Sequence, residues 1–191
     1  MVKWDVSNIV ATLYFNIRLP LDKIANSLPY SSYDPETFPG LILPLRNGNI
    51  KALIFNSGTI NIAGLKNINE LEDIIKTFRE KFEEIGIKLP QEYKIKLQNI
   101  VVNGKFDVDN VNIVELADRV EGSTYNPEAF PAAIVPYTIS DDYEVTFNVF
   151  KNGEFVCAGL KGIKKDIKEI YEDVNKIILD FQEKVIKKYS K

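Results

Sequence analysis

Residues 33–40 read YDPETFPG, and residues 125–132 read YNPEAFPA. The two blocks are 92 residues apart, Tyr33 to Tyr125 and Phe38 to Phe130. Outward from them the repetition continues. SNIV at 7–10 recurs as QNIV at 98–101, and FNSGTINIAGLK at 55–66 recurs as FKNGEFVCAGLK at 150–161. Three blocks in the same order mark an internal duplication, with repeats over residues 1–92 and 93–191. The offset drifts from 91 to 95 along the chain, which places short insertions in turns, where they are tolerated.

Each repeat carries the same succession of local signals. A strand comes first, Ile9 to Tyr14 in one half and Ile95 to Gly104 in the other. A short helix follows, near Leu21–Ser27 with Pro20 and Asp22 as start signals, and near Ile113–Val120. Strands are expected around 39–45, 50–56 and 59–64, and again around 131–138, 143–150 and 153–158. Asn47-Gly48-Asn49 and Lys151-Asn152-Gly153 read as turns between them. A long helix closes each half. Leu71, Ile74, Ile75, Phe78 and Phe82 recur at helical spacing, with Gly86 as the stop. Ile167, Ile170, Val174, Ile177, Ile178 and Phe181 do the same, in a helix expected to run to about Tyr189. The class is α+β, an antiparallel sheet with helices on one face.

Side chains alternate across a strand. In Ala52-Leu53-Ile54-Phe55, Ala52 and Ile54 suit the helix side, leaving Leu53 and Phe55 on the other. In Phe147-Asn148-Val149-Phe150, Phe147 and Val149 suit the core, leaving Asn148 and Phe150. Apolar residues on both faces imply that the helix-free face is covered by something. A binding partner, a homodimer and a closed sandwich all fit that pattern.

Composition narrows the chemistry. The chain has 191 residues, 45% of them hydrophobic, enough for one substantial core or two small ones. It has no histidine and a single cysteine, Cys157. The commonest general base and zinc ligand are therefore missing, and no disulfide can form within the chain. No Gly-rich phosphate loop, cofactor site, signal pattern or apolar run of membrane length is visible, so an intracellular location and no membrane contact are expected. The net charge of −3 counts mildly against a nucleic acid partner, though net charge does not say where charges lie.

The order NIVAT, YDPETFPGL, ALIFNSG and AGLK, then QNIV, YNPEAFPA and AGLK, resembles the TATA-binding protein family in its archaeal-type core, from about Ser7 to Tyr189. The resemblance implies a pseudo-symmetric saddle, with a curved antiparallel sheet of about ten strands and helices on the convex face. It also implies a non-catalytic transcription initiation factor that kinks A·T-rich double-stranded DNA through the minor groove. The compartment implied is the archaeal cytoplasm, or the nucleus for a eukaryotic source.

The resemblance assigns residues as well. Phe38 with Phe55, and Phe130 with Phe150, match two pairs of wedges that pry base steps apart. Asn8 and Asn99 match central asparagines whose amides donate to adenine N3 and thymine O2, where a guanine amino group would obstruct. Val10, Val101, Leu53 and Val156 match apolar contacts beside them, and Lys66 and Lys161 match phosphate-facing lysines. Asp34, Glu36 and Glu128 lie in the wedge loops, the second of which docks a transcription factor B-like protein in the family. The departures are Pro44 and Pro136 in place of arginines, Thr59 and Glu154 in place of lysines, Ala63 and Ala158 in place of threonines, and Asn61 in place of a valine. In the second wedge loop, Asn126 replaces an acidic residue and Ala129 a larger apolar one. They leave open a second expectation, a divergent paralogue with weak or no DNA binding that acts as a protein-interaction or regulatory module.

Overall fold

The computed structural model describes residues 2–162 and 167–191. Residues 1 and 163–166, and the side chain of Ile167, lie outside that description. The elements in chain order are β1 (Lys3–Tyr14), α1 (Leu21–Ser27), β2 (Leu41–Leu45), β3 (Ile50–Ile54), β4 (Thr59–Leu65) and α2 (Asn69–Glu84). There follow β5 (Lys94–Lys105), α3 (Ile113–Arg119), β6 (Ala132–Ser140), β7 (Tyr143–Phe150), β8 (Glu154–Gly162) and α4 (Ile167–Lys184). The class is α+β, as the periodicities indicate. By packing, Asn8–Gln98 forms one unit, and Met1–Ser7 with Asn99–Lys191 forms the other.

In the first unit the strands lie in the order β2-β3-β4-β1. Ile50, Ala52 and Ile54 of β3, Ile60 and Ile62 of β4, and Ile9, Ala11 and Leu13 of β1 are buried on one face. So are Leu71, Ile74, Ile75, Phe78 and Phe82 of α2. Burying each such side chain contributes roughly 1.5–3 kcal/mol, so this stripe and that sheet face make up a large part of the unit's core. Arg79 on α2 fixes the connection to β5. Its guanidinium donates to the carbonyls of Leu89, Pro90 and Gln91 at 3.0, 2.7 and 3.2 Å.

The second unit repeats the plan in the order β5-β8-β7-β6. Its core is more aromatic. Phe181 of α4 stacks on Phe147 of β7 with ring centroids 3.8 Å apart, and Phe106 stacks on Phe155 at 4.3 Å. The start of β1 joins this unit, where Trp4 stacks on Tyr171 of α4 and donates to Asn175 Oδ1 at 3.0 Å. That anchorage explains why β1 begins at Lys3, ahead of the Ile9 expected from the sequence.

Two expectations need correction. The described residues form eight strands, where the resemblance implied about ten. The missing pair are reduced to isolated bridges, Ser32 with Ile42 and Thr124 with Ile134. Continuing either bridge would next pair Tyr30 with Pro44, or Gly122 with Pro136. Proline has no N–H, so neither ladder can extend, and each proline is confined to an edge strand where the loss is tolerated. Tyr30 even adopts φ 67°, close to the 75° of Gly122, its match in the other half. The second correction concerns α4, which stops at Lys184 and does not run to Tyr189. Val185 breaks the helical path at φ −114°. The tail then buries Ile186, and Ser190 bridges to Val111.

Gly86 does end α2. It takes φ 77°, its N–H donates to the Glu83 carbonyl at 2.9 Å, and Ile87 N–H donates to the Phe82 carbonyl at 2.7 Å. This pair of bonds caps the last carbonyls and requires a left-handed residue after the helix. Gly86→Ala should therefore cost about 1–2 kcal/mol. In thermal unfolding that is a fall of roughly 2–8 °C for a chain of this size; an unchanged midpoint contradicts the cap.

Candidate nucleic-acid interface

Because one face of each unit is given to helices, the opposite residues of every strand are assigned by register. In the first unit, Ile42 pairs with Leu53, Leu53 with Asn61, and Asn61 with Thr12. The next row is Pro44, Lys51, Ala63 and Val10. In the second unit the rows are Ile134, Asn148 and Val156, then Pro136, Thr146 and Ala158. Val10, Leu53, Val101 and Val156 are all half-buried on this side.

The phenylalanines stand at matching places. Phe38 and Phe55 meet edge to face, with centroids 5.9 Å apart at 67°. Phe130 and Phe150 do so at 5.9 Å and 66°. Phe38 is 36% and Phe130 39% exposed, high values for large apolar rings. Each outer ring rides on a short loop closed by a hydrogen bond to the first loop residue: Phe38 N–H to the Asp34 carbonyl and Phe130 N–H to the Asn126 carbonyl, both 2.9 Å. Side chains tighten both loops. Asp34 Oδ1 accepts from Glu36 N–H and Asn126 Oδ1 from Glu128 N–H, each at 3.1 Å. Thr37 Oγ1 also donates to Asp34 Oδ2. Asp34 is thus a brace of its own loop, while the side chains of Glu36 and Glu128 lie exposed.

The asparagines differ between halves. Asn99 Oδ1 accepts from Gly159 N–H at 2.9 Å. Its oxygen is thereby committed, which leaves the NH2 end as the donor available to a ligand. No such bond joins Asn8 to Gly64 among the described residues. The first unit instead holds a polar cluster that sequence reading did not single out. Thr12 Oγ1 donates to Asn61 Oδ1 at 2.8 Å, and Gln98 Nε2 donates to Thr12 Oγ1 at 3.1 Å. Asn61 is again left with its NH2. These residues, with Val10, Tyr14, Lys51, Leu53, Thr59 and Ala63, line one shallow depression. The parity of Val10, Thr12 and Tyr14 along β1 was the available signal for it.

The two lysines have defined surroundings. Lys161 N–H donates to the Tyr143 hydroxyl at 2.9 Å, and its ammonium lies 5.6 Å from the Tyr143 ring centroid. Lys66 N–H donates to a Glu70 carboxylate oxygen at 3.1 Å. Cys157 is fully buried, and burial pushes its thiol up to about 12, so it holds no reactive thiolate. Among the described residues no cluster of acidic and cysteine side chains could hold a metal ion, and no helix is long and apolar enough to cross a membrane.

The family described as "Transcription factor TFIID (or TATA-binding protein, TBP)" matches residues 3–85 and again 94–181. The TATA-box-binding protein of Pyrobaculum calidifontis is 34% identical over 164 residues, covering 86% of this chain and 80% of that protein. That of Pyrococcus abyssi is 32% identical over 185 residues, covering 95% and 91%. The solved structure of Methanococcus jannaschii TBP superposes with a TM-score of 0.79 at 31% identity, covering 96% of this chain and 99% of that one.

The Asp34 brace has a titration signature. Hydrogen bonds from Thr37 and then from Glu36 N–H hold its carboxyl below the ordinary value of 3.8. A depressed carboxylate stabilises its loop above the unfolded value, and that contribution is lost as pH falls through the folded one. An NMR titration should place the Asp34 midpoint below 3.8, and Thr37→Ala should move it up. A midpoint at 3.8 that ignores Thr37→Ala contradicts the brace.

Proposed function

The chain belongs to the TATA-binding protein family, and from that premise we propose that it binds the minor groove of A·T-rich promoter DNA through the helix-free faces of its two halves. The family is one of DNA-binding transcription factors, not of enzymes, and the role proposed is to nucleate an initiation complex. The repeats concerned are residues 1–92 and 93–191. The observation that carries this reading is the pair of matching phenylalanine contacts, Phe38 with Phe55 and Phe130 with Phe150, held at one geometry in both halves.

The energetics favour a wedge. Unstacking a base step costs a few kcal/mol. A base stacked on an aromatic ring recovers about 1–3 kcal/mol. Two rings at each step therefore offset much of the cost, provided other contacts hold the duplex. Val10, Leu53, Val101 and Val156 supply apolar contact along the groove floor. The amides of Asn8, Asn61 and Asn99 donate to the acceptors that A·T and T·A pairs share, and a guanine amino group would displace them. Lys66 and Lys161 contact phosphates. Glu128, in the second wedge loop, faces a transcription factor B-like protein, with Asp34 and Glu36 as the first-half counterparts.

Exposed Glu154 supports a second reading, a relative that keeps the scaffold and engages proteins of the transcription apparatus in place of DNA. Binding measurements separate the two. Fluorescence resonance energy transfer between the ends of an A·T-rich duplex should report both binding and bending at low salt. Phe130→Ala and Phe150→Ala should each weaken binding about tenfold or more, the equivalent of ~1–3 kcal/mol, and together reduce the bend. No binding at low salt would leave the second reading standing; binding with an unaltered bend in the double variant would show that these rings are not the wedges.

A further inference from the structure

Matched positions of the two halves can be compared directly, because each half builds the same face from the same register. Three of them differ in charge in one sense, more positive in the Asn8–Gln98 unit than in the unit of residues 1–7 and 99–191. Lys51 in β3 corresponds to Thr146 in β7, Thr59 in β4 to Glu154 in β8, and Lys96 in β5 to Asp5 in β1. All belong to the helix-free side. Lys51 lies between buried Ile50 and Ala52 and lines the depression with Val10 and Leu53. Lys96 precedes buried Leu97, so it points the other way. Asp5 follows Trp4, whose ring lies against α4. Glu154 precedes buried Phe155.

Lys51 is exposed, and its neighbours in the row are Pro44, Ala63 and Val10, none of which can neutralise it. Neither Lys51 nor Lys96 forms an ion pair among the described residues. The second half adds exposed Glu144 on the same side of β7. Its one extra cation there, Lys105, matches Tyr14 and lines a depression with Lys3, Lys187, Asp107 and Asp109, so this unit sets one added cation against Glu144, Glu154 and Asp5. The lysines that the halves share, Lys66 and Lys161, cancel in the comparison.

We propose that DNA is gripped electrostatically mainly from one side, with Lys51 and Lys96 of the Asn8–Gln98 unit as phosphate contacts beyond the shared Lys66 and Lys161, and with Glu154 and Asp5 of the other unit weakening its hold on the phosphates. Duplex phosphates carry a condensed counterion layer, and each neutralised phosphate releases about 0.9 of an ion from it. The Asn8–Gln98 unit therefore supplies most of the salt dependence of binding. This inference rests on the minor-groove reading above.

Salt dependence tests it. Affinity for an A·T-rich duplex is measured over a series of salt concentrations for the intact protein, for Lys51→Thr and Lys96→Asp, and for Glu154→Thr, each of which installs the residue of the other half. Lys51→Thr should flatten the slope of log affinity against log salt by about 0.9, Lys96→Asp by at least that much, and Lys51→Arg should keep it. Glu154→Thr should raise affinity at every salt concentration. Thermal unfolding midpoints should stay where they are, since these side chains are exposed. If the intact protein binds and bends DNA but the lysine variants keep its full slope, the one-sided grip is wrong and the minor-groove reading survives. If the intact protein fails to bind even at low salt, both are wrong.

Discussion

The alternation of β3 against the stripe of α2 constrains everything else in the first half. Ile50, Ala52 and Ile54 are buried on one face, as are Leu71, Ile74, Ile75, Phe78 and Phe82 of α2. A slip of one residue would exchange every inward side chain for an outward one and expose that core. Once the register is held, Lys51, Leu53 and Phe55 have no choice of side. The same holds in the second half, where Phe147 is stacked under Phe181 and forces Asn148 and Phe150 outward. The candidate interface is thus a by-product of core packing. Its residues are positioned by contacts they do not themselves make.

Duplication supplies the scaffold twice, and divergence has then worked on its details. The paired phenylalanine rings keep one interplanar angle to within a degree, although Gly40 beside the first pair is Ala132 beside the second. The loops that carry them keep the same closing bond, while the brace changes from a carboxylate with a threonine partner to an amide without one. The central amides diverge further. Asn99 is oriented by Gly159, whereas the fixed amide of the first half is Asn61, bonded to Thr12. The geometry of the paired rings is retained, and the polar and charged groups around it are where the halves part.

Much of this was readable from the chain. The repeat blocks, the helix stripes and the stop at Gly86 correspond to local physics that tertiary contacts reinforce. The parity of Leu53 and Phe55 against Ala52 and Ile54 followed from alternation alone. The strand count did not follow. Pro44 and Pro136 were visible as departures, but their effect appears only once Ser32 is seen to bridge Ile42 and the next pair is seen to require a donor that proline lacks. The apolar pattern overshoots the end of α4 because Ile186 continues it while entering the core from a turn. Among the site residues, Asp34 could be read from sequence only as a loop charge, and its partnership with Thr37 needed coordinates. Thr12 shares the parity of Val10 and Tyr14, but its hydrogen bonds with Asn61 and Gln98 leave no mark in spacing.

The central claim is that donors and rings on the helix-free faces read the minor groove. It is tested most directly by replacing the A·T pairs of a bound duplex with inosine·cytosine pairs. Inosine lacks the guanine amino group, so the minor groove of such a pair presents the acceptors of A·T, while its major groove presents those of G·C. The account predicts that equilibrium binding and bending persist on the inosine·cytosine duplex and fall sharply on the G·C duplex. Loss of binding on both would place recognition in the major groove and contradict the account.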